Sequence, residues 1–152
     1  MPAPERVRRH RVRRADPVGR GRQYICLYIY YRERYISAVT PESLFQALSD
    51  ATRLRLLALL AAREEVCVCE LTEALKFSQP MISRHLAQLR AAGMVSDRRA
   101  GVWIYYRLHP DLPTWARKVL REALAGVARG APYRSDHKAL REASRQRRAR
   151  CV

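Results

Sequence analysis

Residues 78–93, with the sequence SQPMISRHLAQLRAAG, decide the fold of this 152-residue chain. Ser78 is a favoured N-cap residue, and the proline two residues later is tolerated in a first helical turn. Apolar residues then repeat at i, i+4 and i+7, which predicts a helix that ends at Gly93. The opposite face of this helix is polar, with Gln79, Ser83, Arg84 and Gln88.

The segments around this helix follow a recognisable order. Upstream, Thr40-Pro41 starts one helix, and a second helix over residues 51–63 has apolar residues around most of its circumference, which predicts that it is the core helix. A short helix covers residues 70–76. Downstream, two strand-like runs flank residues 99–101 as in a β-hairpin, and a last helix runs from about Pro113 to residue 127. This order predicts a mainly α winged helix-turn-helix with a two-stranded β-wing at residues 40–127.

A winged helix-turn-helix suits double-stranded DNA, because a helix fits the major groove and its polar side chains can hydrogen-bond to base edges. Arg98 and Arg99, placed at the hairpin tip, are expected to contact phosphates. The alternative is that the polar helix face is merely solvated. The predicted DNA contacts are Ser78, Gln79, Pro80, Ser83, Arg84, His85, Gln88, Arg98 and Arg99.

The charge of the chain is concentrated at its two ends. The formal net charge is +16, and ten arginines against three acids give residues 1–38 a charge of +7. Residues 126–152 carry +6, with eight Lys and Arg against two acids. Such a balance points to an anionic partner. We therefore expect residues 1–39 and residues 128–152 to form disordered basic arms beside the central domain, the second one at most loosely helical.

Residues 1–38 have a second interpretation. The run at residues 24–31 is rich in Tyr and Ile, whose codons are A/T-rich, and Val39 corresponds to a codon that can initiate translation. In this interpretation translation starts at Val39, and residues 1–38 are the upstream operator DNA translated in silico. The alternative is that residues 1–38 are a genuine basic arm. The same eight-residue apolar run is far shorter than a membrane span, and it lacks the features of a signal peptide. The sequence predicts a cytoplasmic protein with no membrane partner.

Four cysteines, at positions 26, 67, 69 and 151, are too few for a disulfide scaffold. Cys67 and Cys69 are either two small buried apolar residues or ligands for a soft ion, with thiol pKa values lowered by a helix N-terminus. Residues i and i+2 of a regular helix point about 200° apart. Both sulfurs therefore reach one ion only where the backbone is extended or unwinds, and coordination is expected to distort this helix and weaken DNA docking.

Four motifs in this order resemble the ArsR/SmtB family of metal-responsive repressors, and most of all its arsenic-responsive branch. They are LSDATRL at residues 48–54, VCVCEL at 66–71, SQPMISRHL at 78–86 and GVWIYYRL at 101–108. The resemblance spans about residues 40–125. It implies a dimeric repressor that needs no cofactor to bind operator DNA and leaves it when As(III) or Sb(III) binds Cys67 and Cys69.

The chain departs from the family pattern at this site. A third cysteine of the arsenic box falls at the position of Thr72, which cannot supply a thiolate. Either two sulfurs suffice, or the third comes from Cys26, from Cys151 or from a small thiol. Cys151 has the alternative of being an incidental thiol in a mobile tail.

Surplus apolar residues on the first and last helices predict a homodimer. The expected interface consists of Leu44, Phe45, Leu48, Trp115, Val119 and Ala123. The sequence holds no phosphate loop, hydrolase triad or carboxylate pair, and we expect no enzyme activity. Two other functions stay open: a related repressor that responds to cadmium, zinc or thiol oxidation, and a non-specific nucleic-acid-binding protein that uses its basic arms.

Overall fold

In a computed structural model of the chain, the backbone is described for residues 39–150 and the side chains for residues 39–147. The N-terminal extension with its Tyr-rich run, Cys26 and Cys151 lie outside these residues. No helix of the described part is long and apolar enough to cross a membrane.

The first two helices begin where their capping residues predict. Helix α1 spans Pro41–Leu48, and Thr40 caps it in a reciprocal pair with Ser43. Helix α2 spans Ala51–Ala61. The Asp50 carboxylate accepts the backbone N–H of Arg53 at 2.8 Å and so satisfies one of the unpaired donors at the start of α2. Five consecutive residues of α2 are buried, which confirms it as the core helix.

The helix-turn-helix follows a two-residue strand. Strand β1 is Val66–Cys67, helix α3 is Val68–Leu75 and helix α4 is Gln79–Ala91. Between the helices, Lys76 has a positive φ of 56°, which closes the turn. Helix α4 buries its apolar stripe, Ile82, Leu86 and Leu89, as its spacing predicts.

The wing is confirmed as an antiparallel hairpin of strands β2, Val95–Ala100, and β3, Trp103–Leu108. Its tip is Gly101–Val102, with Gly101 in the left-handed region at φ 61°. The sheet has three strands rather than two, because β1 pairs with β3. A two-residue strand has no alternating pattern of its own, so pattern analysis cannot detect it.

Helix α5 spans Thr114–Val127 and buries Ala116 and Leu120. The prediction of a disordered C-terminal arm is wrong for residues 133–150, which form helix α6, Tyr133–Arg150. Helix α6 packs against α2 and α3 and buries Leu140 and Ala143, both 1% exposed. Its Asp136 carboxylate, 4% exposed, receives two hydrogen bonds of 2.7 Å from the Arg55 guanidinium.

Asp50 makes the stability of the fold depend on pH. Burial alone raises the pKa of Asp50, but the Arg53 N–H and the charges of Arg53 and His85 bring it below its ordinary value. A carboxylate with a lowered pKa stabilises the native state above its unfolded pKa of about 4, and the contribution disappears as the pH falls through the folded pKa.

We therefore expect Asp50→Ala to lower the free energy of unfolding by about 1 kcal/mol at pH 7 and by much less at pH 3. Urea unfolding at the two pH values measures this difference. Asp50→Asn keeps a capping oxygen without the charge, so its deficit should be smaller at pH 7, and it should also shrink at pH 3 because this variant lacks the same titrating carboxylate. An equal deficit for Asp50→Ala at both pH values contradicts the expectation.

Candidate functional site

The polar face of α4 is exposed along its length. Ser78, Gln79, Pro80, Ser83, Arg84 and Gln88 all have exposed side chains. The buried stripe on the other side of the helix holds this face outward, away from the core. Its donors and acceptors match those that base edges offer in a major groove.

Arg53 fixes this face to the rest of the domain, although it is not among the residues that the sequence predicted for DNA contact. Its guanidinium donates to the Gln88 side-chain oxygen at 3.1 Å and to the carbonyls of Gln46 and Ala47 at 2.6 and 3.1 Å. This bond orients the Gln88 amide, whose NH₂ group and second oxygen lone pair stay available to a ligand. The sequence feature that could have identified Arg53 is the Thr52-Arg53 pair, which comes in the first turn after the N-cap residue Asp50.

His85 differs from the other residues predicted on this face. It is half-buried, and its Nδ1 lies 3.6 Å from Asp50 Oδ1, beyond hydrogen-bond distance. The residue therefore lies at the edge of the core, facing the start of α2.

The two wing arginines are not at the hairpin tip, contrary to the sequence prediction. Both belong to strand β2, because the turn consists of the next two residues after Ala100. Arg98 forms an ion pair with Glu65 at 2.6 Å, and Arg99 is exposed and donates to the Gly101 carbonyl at 3.1 Å. Both side chains are exposed, and Arg99 is the one of the two without a carboxylate partner within the described part of the chain.

Cys67 and Cys69 lie side by side at the start of α3. Cys67 is the N-cap residue with an extended backbone, φ −69° and ψ 144°, and Cys69 belongs to the first turn. In a regular helix the side chains of residues 67 and 69 would point to opposite sides, but the extended backbone of Cys67 turns both to the same side. The two Sγ atoms are 2.8 Å apart in a thiol–thiol hydrogen bond. Of the two conditions that helix geometry allowed, an extended backbone or an unwound helix, the structure has the first at Cys67.

The pKa of Cys69 also differs from expectation. Burial raises the pKa of Cys69 to about 12, and the hydrogen bond with Cys67 and the nearby Glu70 carboxylate act in the same direction. The expected lowering by the helix N-terminus is therefore wrong for Cys69. Cys67 is fully buried and Cys69 is half-buried, so the site is open to solvent on the Cys69 side.

The donor set of the pair suits a soft ion, since thiolates select such ions over oxygen-preferring ones. Within residues 39–147, no group of three His, Cys, Asp or Glu side chains is close enough to hold a metal. Thr72 is half-buried, and its hydroxyl donates to the Val68 carbonyl at 2.8 Å. The described part of the chain therefore offers two sulfur ligands.

Glu70 links the thiol pair to the C-terminal helix. One carboxylate oxygen accepts the Cys67 backbone N–H at 2.8 Å, and the other lies 3.3 Å from Arg147 Nε of α6. Arg147 also donates to the Tyr105 hydroxyl at 2.9 Å. Neither Glu70 nor Arg147 was among the site residues predicted from the sequence. Glu70 could have been identified from its position three residues after Cys67, where a capping box has its glutamate.

The predicted interface residues fall into two groups. Leu44 is fully buried within the single chain, so its assignment to a dimer surface is wrong: it belongs to the core. Phe45 is 59% exposed and Trp115 is 38% exposed, which is unusual for aromatic residues of this size. Leu48, Val119 and Ala123 are partly buried.

Known proteins resemble this chain in sequence over its central part. A model of the arsR family of bacterial regulatory proteins matches residues 50–97. An arsenic resistance transcriptional regulator of Pseudomonas putida is 57% identical over 83 residues, 55% of this chain and 65% of the relative. A second such regulator from P. putida is 56% identical over 57% of this chain and 75% of the relative. The arsenical resistance operon repressor of Escherichia coli is 50% identical over 58% of this chain and 75% of the relative.

Solved structures agree with the fold. HlyU from Vibrio cholerae aligns with a TM-score of 0.51 and 29% identity, over 57% of this chain and 90% of that chain. The reduced form of HlyU from the same organism aligns with a TM-score of 0.52 and 25% identity, over 66% of this chain and 98% of that chain. With helix α4 and the wing placed as described above, the chain belongs to the arsR family of bacterial regulatory proteins.

Proposed function

We propose that this protein is a transcriptional repressor that binds operator DNA as a homodimer and leaves it when As(III) or Sb(III) binds Cys67 and Cys69. The observation that carries the proposal is the 2.8 Å pair of sulfurs at the start of α3, the helix directly before the DNA-facing helix α4. Three relatives at 50–57% identity are named for arsenic or arsenical resistance, which supports the metalloid as inducer.

The chemistry of the thiol pair fits a neutral condensation. Arsenous acid, As(OH)₃, exchanges two As–O bonds for two As–S bonds, and each thiol proton leaves with a hydroxyl group as water. A thiol with a pKa of about 12 remains protonated at neutral pH, so it can supply the proton that this exchange requires. The reaction changes no oxidation state.

Cys151 is proposed as the third ligand, with Cys26, a small thiol or the two sulfurs alone as the alternatives. A third thiol would replace the remaining As–OH bond and release a third water.

The dimer is proposed to form through α1 and α5. Phe45 and Trp115 supply exposed aromatic surface on these two helices, and Leu48, Val119 and Ala123 supply half-buried surface beside it. Aromatic residues are enriched at protein interfaces. No cofactor is needed for DNA binding in this proposal, and the protein acts in the cytoplasm, where its operator is.

The proposal is tested by footprinting on the DNA upstream of the protein's own gene. We expect protection of a short inverted repeat, with two chains bound per repeat, and loss of protection when arsenite or antimonite is added. Protection that cadmium, zinc or an oxidant releases, and arsenite does not, would instead support the related repressor. Coating of the whole fragment would support the non-specific binding protein.

Arg84→Ala tests whether α4 contacts base edges. A bidentate arginine–guanine pair contributes about 1–3 kcal/mol of discrimination, so we expect the preference for operator over unrelated DNA to fall by about 5- to 150-fold. Arg141→Ala on the exposed side of α6 removes the same charge and should leave the preference unchanged. Fluorescence anisotropy with both DNAs at fixed salt measures the ratio. An unchanged ratio in Arg84→Ala contradicts the assignment.

A further inference from the structure

A row of side chains across the sheet joins the thiol pair to the wing. In the sheet register, Tyr105 of the central strand lies opposite Cys67 on one side and opposite Arg98 on the other. Directly opposed residues of antiparallel strands project from the same face. The Arg98 guanidinium carbon is 4.9 Å from the centre of the Tyr105 ring, within range of a cation–π contact. Cys67, Tyr105 and Arg98 therefore form one row.

Arg147 contacts this row from helix α6. Its Nη1 donates to the Tyr105 hydroxyl at 2.9 Å, and its Nε lies 3.3 Å from the Glu70 carboxylate that accepts the Cys67 N–H. Glu70 is only 5% exposed, so its charge depends on protein partners rather than water. The Nε contact is an ion pair without hydrogen-bond geometry, so the attraction between the two buried charges, rather than a directional bond, links Glu70 to Arg147.

Helix α6 holds Arg147 in place independently of the thiol pair. The buried ion pair between Asp136 and Arg55 and the buried Leu140 and Ala143 attach the helix to α2 and α3. Asp136, Leu140, Ala143 and Arg147 recur at i, i+4, i+7 and i+11, so all four point from one face of the helix. A movement at Glu70 is therefore opposed by an anchored side chain.

We propose that Arg147 is a positioning residue that couples the thiol pair to the wing, an inference that rests on the proposed function. A metalloid bonded to both sulfurs holds them at one fixed separation and angle, whereas the free thiols are linked only by a hydrogen bond. Because Cys67 donates its N–H to Glu70, a rearrangement of Cys67 on binding displaces the Glu70 carboxylate. Arg147 then transmits the displacement to Tyr105, and through its ring to Arg98.

The first test uses the metalloid-free protein and compares Arg147→Met with Arg145→Met. Both variants remove one positive charge from α6, and Arg145 is exposed. We expect Arg147→Met to raise amide hydrogen exchange at Cys67 and in β3 about 5- to 10-fold, and Arg145→Met to leave it unchanged. Equal exchange in the two variants overturns the proposal.

The second test measures the ratio of operator affinities with and without arsenite. We expect this ratio to be about 5- to 10-fold smaller for Arg147→Met than for the wild type, and to be unchanged for Arg145→Met. A wild-type ratio in Arg147→Met overturns the coupling and leaves the proposed function standing. A wild-type protein with no arsenite response overturns both.

A second variant covers the case in which Arg147→Met does not fold. Tyr105→Phe removes one hydroxyl and keeps the ring that contacts Arg98, so the fold should be retained. The ratio of its operator affinities without and with arsenite should lie between the ratio of the wild type and that of a fully uncoupled protein. A ratio equal to that of the wild type, with melting confirming a native fold, overturns the role of Arg147.

Discussion

Cys67→Ser and Cys69→Ser are each expected to abolish release from operator DNA at arsenite concentrations that fully release the wild type. Serine offers a hard oxygen in place of a soft sulfur, and soft ions select thiolates. Removal of either sulfur also leaves a single ligand in the described part of the chain. Arsenite titration of operator-bound protein, followed by anisotropy, measures the effect. Release of either variant at the wild-type midpoint contradicts the assignment.

These variants should still fold and bind DNA, which makes the loss of release interpretable. Position 67 is an N-cap, where serine is among the favoured residues, and Cys69 is only half-buried. Operator affinity without arsenite should therefore stay near that of the wild type.

Thr72→Cys is the reciprocal change. Position 72 lies three residues after Cys69, on the same side of α3, so a third sulfur would be close to the pair. We expect this variant to respond to lower arsenite concentrations than the wild type.

Asp136→Ala is expected to lower the free energy of unfolding by about 3 kcal/mol, because it leaves the Arg55 guanidinium partly buried without its carboxylate. The pair has two hydrogen bonds of 2.7 Å, and the Asp136 and Arg55 side chains are 6% and 17% exposed. Urea unfolding at fixed protein concentration measures the loss.

Two further variants separate the ion pair from general effects on α6. Glu142→Ala removes an exposed acid from the same helix and should change the stability little. The double variant Asp136→Leu with Arg55→Met removes both charges and should be more stable than Asp136→Ala alone. If Asp136→Ala is as stable as Glu142→Ala, the pair does not hold α6 to the domain.

The local signals in the sequence were sufficient for most of the helix-turn-helix and the wing. Thr40-Pro41 starts α1, the apolar spacing of residues 82–89 gives α4, and the hairpin follows from two strand-like runs around a glycine. Each of these features depends on residues within a few positions of one another. Such short-range preferences act before any tertiary contact forms, so they can be deduced from the order of residues alone.

Helix α6 shows where this reasoning fails. Its high charge predicted a disordered arm, yet four residues at helical spacing attach it to the domain. The spacing of Asp136, Leu140, Ala143 and Arg147 was present in the sequence, but its partners, Arg55 and Glu70, are about 80 residues away. The net charge of residues 128–152 predicted disorder because it does not register four residues at helical spacing whose partners are distant in the sequence.

The helix-turn-helix, the polar face of α4 and the two neighbouring thiols follow from the order of residues. The packing of the folded chain, in contrast, places Leu44 in the core and both sulfurs on one side of an extended N-cap, and it raises the pKa of Cys69 by burial. The physical reason is that exposure, desolvation and ion pairing depend on segments distant in the chain, whereas capping and periodicity depend on neighbours.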